Sequence, residues 1–343
     1  MSADDLLPPV QAPAANFIIQ LFLIPMLIVS MIVALWLLFG YLSRQNENPK
    51  DLVADIEQLN HASWQKALTL AQLLRDSQNG ELRQDTELAS RLATLLEKQI
   101  EDGQHDNSHN QLREYLCRSL GRFEVDTGCD ALALAAAHEE HPDDVNTRRA
   151  ALQALAELTE AVDPEIIAGH QSVLDALQKG TEEYSENPDE RRERELLRSA
   201  ATFTLGLLPK ENTNTRLAEL THDPSLDVGY NAAIGLARQG DERCIKILVE
   251  MLDPPEDALE DSTVQALERE TDQQWAAKQT GLKEWKKTHL VTNALRAVTK
   301  LYGEYPQLDI SELKTAIEKL SADEEQPNLL RIRADEVLRV LNQ

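Results

Sequence analysis

Aromatic residues are scarce in this chain, at 4% of 343 residues, and glycine and proline are also few, at 13 and 14. Sheets favour aromatic and β-branched side chains. The residues that dominate instead, among them Leu, Ala, Glu, Arg and Gln, favour helices. The composition therefore predicts an all-α fold.

Motifs that would indicate an enzyme are missing. The chain has no glycine-rich phosphate loop, no Gly-x-Ser-x-Gly turn and no His-Glu-x-x-His pair. Its cysteines, Cys117, Cys129 and Cys244, lack Cys-x-x-Cys spacing and indicate neither a disulfide framework nor a zinc site. We expect a protein that is not an enzyme, without catalytic residues, cofactor, metal ion or small-molecule substrate.

Positive charge is also in short supply. Lys and Arg number 34 against 59 for Asp and Glu, which leaves a formal net charge of -25. A surface with this charge repels phosphate groups and anionic lipid head groups. The chain is therefore expected to bind other proteins and not nucleic acid.

One uncharged run, residues 17–39, interrupts this polar sequence. As a helix rising about 1.5 Å per residue it would measure about 34 Å, enough to cross a hydrocarbon core of about 30 Å. Pro25 lies near one end, where a kink is tolerated. Residues 17–39 are thus predicted to form a single transmembrane helix.

Basic residues near this run predict its orientation. No Lys or Arg precedes it, whereas Arg44 and Lys50 follow closely. Because basic residues collect on the cytoplasmic side, we expect a cell-membrane protein whose remaining chain is cytoplasmic. A periplasmic or lumenal location is the alternative. A cleaved signal peptide is disfavoured because it would begin with a basic segment.

Beyond the run one pattern recurs: Arg, two residues, a small or apolar anchor, two residues, a small residue and Leu. In the clearest copy Asp223 and Pro224 begin a first helix, Gly240 turns the chain and an apolar second helix follows at 245–252. The anchors of the six copies are Leu116, Ala151, Ala201, Ala232, Ala294 and Ala334.

This copy resembles the short bacterial type of HEAT repeat, the type that some bilin lyases resemble, whose units read Asp-Pro-x-x-x-Val-Arg-x-x-Ala-Ala-x-Ala-Leu-Gly-x-Leu-Gly-Asp. The resemblance covers roughly residues 110–343. It implies an armadillo-like α-α superhelical solenoid, because a single helix pair exposes too much apolar surface to be stable alone. Gly229 and Val291 depart from the template Arg, and Leu116 departs from the anchor Ala.

Within the solenoid, the second helices at 130–137, 166–177 and 245–252 are expected to line one curved face. We expect each template arginine to pair with an acidic residue of the adjacent unit. These arginines are Arg113, Arg148, Arg198 and Arg331.

Together these patterns divide the chain into five parts. We expect a disordered tail at 1–16, the transmembrane helix at 17–39, and a linker with a helical hairpin at 40–102. HEAT-like repeats follow at 103–343, with a helical insertion at 254–286.

The insertion separates its charges, with acidic residues in its first half and lysines in its second. The plain interpretation is a long helix packed on the repeats. Alternatives are an amphipathic membrane segment and a docking edge for an acidic partner protein. The candidate docking residues are Trp275, Lys278, Lys283, Trp285, Lys286 and Lys287.

Residues 138–144, His-Glu-Glu-His-Pro-Asp-Asp, place two imidazoles three residues apart beside carboxylates, a geometry that metal ions use. The plainer interpretation is an acidic helix terminus, in which Pro142 and the aspartates open the next helix. Deoxyhypusine hydroxylase resembles a stack of HEAT units and binds iron through several His-Glu pairs. This chain has one such pair, His138 with Glu139, which argues against that activity.

Taken together, the sequence predicts a membrane-anchored scaffold or adaptor that binds other, membrane-associated proteins through a HEAT-like surface. The resemblance also implies an alternative. A chaperone-like lyase or maturation factor of the HEAT-repeat type would act on a cofactor-bearing protein.

Overall fold

The structure of the protein is a computed structural model, and it describes residues 19–45, 49–76, 79–259 and 272–342. All regular secondary structure in these ranges is helical, as the composition predicts. The predicted tail at 1–16 lies outside the described residues. The chain divides into two compact units, Met1–Leu52 and Val53–Gln343.

The first unit contains the apolar run. A π-helix, Ile19–Leu23, leads into helix α1, Ile24–Gln45. Pro25 has no N–H to donate to the carbonyl one turn earlier, and the helix is wider just before it. The side chains of Leu21–Phe39 are all exposed, unlike those of a core helix in a soluble protein. This segment is long and apolar enough to cross a membrane, a property that signal sequences share.

The remaining helices are α2 Pro49–Glu57, α3 Ser63–Arg75, α4 Gly80–Arg83, α5 Thr86–Glu101, α6 Asn107–Leu120, α7 Cys129–Ala137, α8 Asp144–Ala161, α9 Pro164–Ala168, α10 Gln171–Thr181, α11 Pro188–Leu205, α12 Lys210–Leu220, α13 Leu226–Arg238, α14 Ile245–Leu252, α15 Glu256–Leu259, α16 Asp272–Glu304, α17 Ser311–Ala322 and α18 Asn328–Leu341. Short 3-10 turns, Asp126–Gly128 and Glu242–Cys244, precede α7 and α14.

A first row of helices runs through the second unit. Helices α3, α6, α8, α11, α13, α16 and α18 each pack against the next helix in this row. All six predicted anchors lie in the row, and each has an exposed fraction of 0%. Ala67 occupies the equivalent buried position in α3. Five of the six anchors are alanines, whose small side chains let neighbouring helices approach closely.

One close approach within the row is between two glycines. A Cβ atom added at Gly206 would lie 2.7 Å from the Cα atom of Gly235, and one added at Gly235 would lie 2.7 Å from the Cα atom of Gly206. Real Cβ atoms are not found at such distances. Gly206 ends α11 and Gly235 lies in α13, so the absence of both side chains sets the distance between these two helices.

A second row consists of α5, α7, α10, α12, α14 and α17, and each of these helices packs against the first-row helix that follows it. Residues 40–102, predicted as a linker and hairpin, supply α3 to the first row and α5 to the second. Two predicted second helices, 130–137 and 245–252, correspond to α7 and α14.

The predicted second helix at 166–177 is wrong as a single element, because the chain breaks at Gly169 and His170. The Gly169 N–H bonds back to the carbonyls of Glu165 and Ile166 and closes α9. His170 then adopts an extended backbone before α10 begins.

The predicted insertion at 254–286 contains α15, residues 260–271 outside the described ranges, and the start of α16. Helix α16 continues without a break past residue 286 to Glu304. The anchor Ala294 and the candidate docking residues therefore belong to one helix.

Candidate interaction surface

The four template arginines hold the ends of second-row helices. Each donates a hydrogen bond to a backbone carbonyl at, or just beyond, the C-terminal end of the preceding second-row helix, where carbonyls lack helical partners. The bonds are Arg113 Nη1 to Gln99, 3.4 Å, Arg148 Nε to Ala136, 3.1 Å, Arg198 Nη1 to Glu183, 2.6 Å, and Arg331 Nε to Ser321, 3.3 Å.

Three of these arginines also face carboxylates. Arg113 lies 3.8 Å from Asp144, the first residue of α8, and Arg198 forms an ion pair with Asp223, just before α13. These two pairs confirm the predicted link to the adjacent unit. Arg148 pairs with Glu183.

The guanidinium groups of Arg113, Arg148 and Arg198 are almost wholly buried. Burial lowers the pKa of Arg113, and the nearby Asp144 carboxylate opposes that shift. These groups support the stack, and their burial keeps them from a ligand at the surface.

The histidine-rich segment at 138–144 is organised around the buried carboxylate of Asp144. Its Oδ2 atom accepts hydrogen bonds from the N–H groups of Glu140 and His141, at 3.0 and 2.8 Å. His138 Nε2 lies 3.6 Å from Oδ2, and His105 Nδ1 lies 3.5 Å from Oδ1. Asp144 thus stabilises the turn that precedes α8.

No group of three or more His, Cys, Asp or Glu side chains within the described ranges is arranged to hold a metal ion. The rings of His105 and His141 stack on each other, with centroids 4.2 Å apart.

The candidate docking residues lie in the first half of α16. Trp275 and Lys278 fall in the part of this helix where only the backbone is described. The Trp285 side chain is 63% exposed and stacks on His289, with ring centroids 5.4 Å apart. Trp285 is therefore the candidate aromatic residue that the structure places at the surface.

Two of the candidate lysines face carboxylates of neighbouring helices. Lys283 Nζ lies 3.3 Å from Glu256 in α15, and Lys286 Nζ lies 3.4 Å from Asp227 in α13. The pKa of Asp323, beyond α17, is lowered by hydrogen bonds from the Gln326 side chain and the Glu325 N–H and by the charge of Lys287. The two ion pairs join α16 to α15 and to α13, as the plain interpretation of the insertion predicts.

A groove lies elsewhere on the second row, between α12, α14 and the start of α17. Its volume is about 920 Å³. Its floor contains three half-buried apolar residues, Ala218 of α12 with Ile245 and Ile247 of α14. Helices α14 and α17 pack against each other. Helices α12 and α14, both fully described, do not pack extensively against each other.

The rim of this groove is predominantly acidic. Glu219, Glu242, Asp309 and Glu312 all line it. Glu219 pairs with Arg216 at 2.8 Å, whereas Glu242 and Glu312 have no ion pair among the described residues.

Two basic side chains also line the groove. Arg243 bonds Asp241 at 2.6 Å, and Lys246 is exposed. The lining residues together carry more negative than positive charge.

Sequence reasoning predicted α14 at residues 245–252 but not the groove beside it. Periodicity does not report this groove, because the space depends on how the flanking helices pack. Helix length does not report it either, since α7, with 9 residues, is about as short as α14, with 8, and still packs against α10.

In a comparison with protein families, the family described as HEAT repeats matches residues 189–268. This segment includes α12 to α15 and the floor of the groove. A search of curated proteins finds no similar sequence. The match and the all-helical structure of the described ranges together support a HEAT-repeat helical protein.

Proposed function

We propose that this protein is a membrane-anchored scaffold, or adaptor, that binds other proteins through the surface of a HEAT-like solenoid. The observation that carries the proposal is the stacking of first-row and second-row helices, together with the HEAT-repeat match at 189–268. Such repeats commonly mediate protein–protein interaction. Stacked helix pairs produce extended surfaces suited to this role.

In this proposal the apolar helix Leu21–Phe39 acts as an anchor. Holding the solenoid at a bilayer raises its effective concentration toward partners in or near the same membrane. The basic residues Arg44 and Lys50 favour a cytoplasmic position for the solenoid. Binding and confinement need no catalytic step, so the proposed protein is not an enzyme.

The exposed Trp285 offers a second place for a partner to bind. Tryptophan is frequent among the residues that contribute most to protein interfaces. The edge formed by Trp275, Lys278, Lys283, Trp285, Lys286 and Lys287 remains a prediction for an acidic partner.

The test is recovery of partners from intact membranes. The full-length tagged protein is crosslinked, solubilised in mild detergent and purified, and co-purified proteins are quantified against an unrelated single-span protein. Stoichiometric enrichment of membrane-associated proteins is expected. A chimera with a different transmembrane helix in place of residues 17–39 should retain these partners, whereas deletion of residues 1–39 should reduce their recovery.

The alternative, a bilin-lyase-like modifying or maturation factor, gives a different result. Deletion of the gene would then remove a cofactor-bearing product, and no partner would be enriched in stoichiometric amount. That outcome would replace the scaffold proposal.

A further inference from the structure

We propose that the groove between α12, α14 and α17 docks a basic, partly apolar peptide segment of a partner protein. This inference rests on the proposed function and names the chemistry of the partner. It follows from the shape, floor and charge of the groove and from the charge of the whole chain.

The floor provides an apolar contact. Ala218, Ile245 and Ile247 are half-buried, so part of each side chain faces the groove and remains in contact with water. Covering such surface with an apolar side chain of a partner is favourable because it removes apolar area from water. The occupant therefore carries apolar residues.

The carboxylates at the rim of the groove favour a positively charged occupant. Glu242 and Glu312 line the groove from different elements, the 3-10 turn before α14 and the start of α17. Neither has an ion pair among the described residues, and Asp309 adds a third carboxylate. Lysine or arginine residues that flank the apolar contact would meet these carboxylates, and the net charge of -25 would steer them toward the protein.

A second copy of this chain fits the groove poorly, since two surfaces of the same strong negative charge repel each other. A small molecule also fits less well. Small-molecule sites enclose most of their ligand and aim a few fixed polar groups at it. The rim carboxylates here are exposed and come from separate elements.

The test uses the full-length protein in nanodiscs of zwitterionic lipid, with empty nanodiscs as a blank. The probe is a short fluorescent peptide of alternating lysine and leucine, and its binding is followed by fluorescence anisotropy. A peptide of alternating glutamate and leucine is the matched control. The lysine peptide should bind, and the glutamate peptide should not.

Substitution then locates the binding. The double variant Glu242→Gln with Glu312→Gln removes both rim charges at nearly constant side-chain size. It should weaken binding of the lysine peptide by about two- to thirtyfold, the range for two exposed charge pairs. The matched variant Glu101→Gln with Glu318→Gln removes two exposed carboxylates outside the groove, and it should bind as the wild type does. Ile247→Ser should weaken binding with no change of charge.

Three outcomes overturn the inference. They are an absence of lysine-peptide binding, equal binding of both peptides, and an equal loss in the two double variants, which would indicate attraction by net charge alone. Circular dichroism on each variant confirms that it is folded.

The partner-recovery experiment separates this inference from the scaffold proposal. Partners that remain bound to the Glu242→Gln, Glu312→Gln variant would refute the groove and leave the scaffold standing. Groove-dependent peptide binding without any recovered partner would refute the scaffold alone.

Discussion

Arg198 donates two parallel hydrogen bonds to the carboxylate of Asp223, from Nε to Oδ2 and from Nη2 to Oδ1, each 3.1 Å long. The two side chains are 3% and 0% exposed. Arg198 also donates to the Glu183 carbonyl, and its guanidinium lies 4.1 Å from the centre of the Tyr184 ring. The Arg198 side chain thus joins α11 to the end of the preceding helical repeat and to the start of the next repeat.

Removing one partner of this pair should strongly destabilise the second unit. Asp223→Ala leaves a buried guanidinium without its carboxylate, and we expect the free energy of unfolding to fall by about 3–5 kcal/mol. Arg198→Lys keeps the charge but loses the two-pronged geometry, so it should also destabilise the protein. Urea unfolding in detergent, followed by circular dichroism, measures both changes.

The control for this pair is Arg339→Ala. Arg339 is an exposed arginine of α18. Its removal should change the free energy of unfolding by less than about 0.5 kcal/mol. A loss at Asp223 no larger than the loss at Arg339 would contradict the structural role of the buried pair.

Acid should weaken the contribution of Asp241 to stability. Hydrogen bonds from the Arg243 and Asn214 side chains and from the Arg243 N–H hold the Asp241 pKa well below its usual value. The folded protein therefore binds this proton less readily than the unfolded chain. The stabilisation is present above about pH 4 and is lost as pH falls further, through the lowered pKa.

The Asp241→Asn variant tests this dependence. At neutral pH it should be less stable than the wild type by about 1–2 kcal/mol, and the difference should shrink as pH is lowered below about 4. Unfolding free energies measured from pH 2 to pH 7 give both values. A difference that stays constant across that range would show that the ionised carboxylate is not the stabilising form.

Alanine should have opposite effects at two helical glycines. At Gly235 the added methyl group would meet the Gly206 backbone at 2.7 Å, so Gly235→Ala should lower the free energy of unfolding by about 1–3 kcal/mol. At Gly281 a Cβ atom meets nothing within 4 Å. Gly281→Ala should therefore raise stability by about 0.5–1 kcal/mol through helix propensity.

Thermal unfolding of these two variants, measured side by side, checks the prediction. A Gly235→Ala protein as stable as the wild type would mean that α11 and α13 can move apart without lowering the free energy of unfolding.

The three cysteines should not react in the folded protein. Cys117, Cys129 and Cys244 are each 0% exposed. Burial raises the pKa of Cys129 and of Cys244 to about 12, which leaves almost no reactive thiolate at neutral pH. A maleimide reagent should label none of them until denaturant is added. Labelling of any native thiol in the folded protein would contradict the packing around it.

A membrane-orientation experiment consequently needs an introduced thiol. Glu318→Cys places one on the exposed side of α17. An impermeant maleimide applied to intact cells should leave it unlabelled if the second unit is cytoplasmic, and label it after the cells are lysed. Labelling before lysis would place the second unit on the outer side.

The repeat anchors show how far local sequence can predict this fold. A small or apolar residue at a recurring position identified every anchor, five alanines and one leucine, and the structure buries all six of them in one row of helices. The prediction succeeds because close helix packing requires a small side chain at a position that the helical period sets. The same pattern is weaker in α3, where Trp64 stands in the place of the template arginine, and residues 40–102 were not recognised as part of the stack.

The insertion shows what local sequence does not predict. Its lysines and tryptophans left a packed helix, a docking edge and a membrane segment open as interpretations. In the structure Lys286 faces Asp227, which is 59 residues away in the chain. The sequence shows that both charges exist, but only the packing of α16 on α13 brings them together. Similarly, the sequence predicted acidic partners for the four template arginines, whereas the backbone carbonyls to which they also donate hydrogen bonds are seen only in the structure.

The sequence by itself determined the helical class, the apolar run and the spacing of the repeat units, because each depends on residue type and on periods of a few residues. The tertiary structure decided which charges are neutralised and where a groove remains open. Those properties depend on distances between helices that are far apart in the chain. The gap between α12 and α14 is the clearest case, since no residue pattern within either helix reports the space between them.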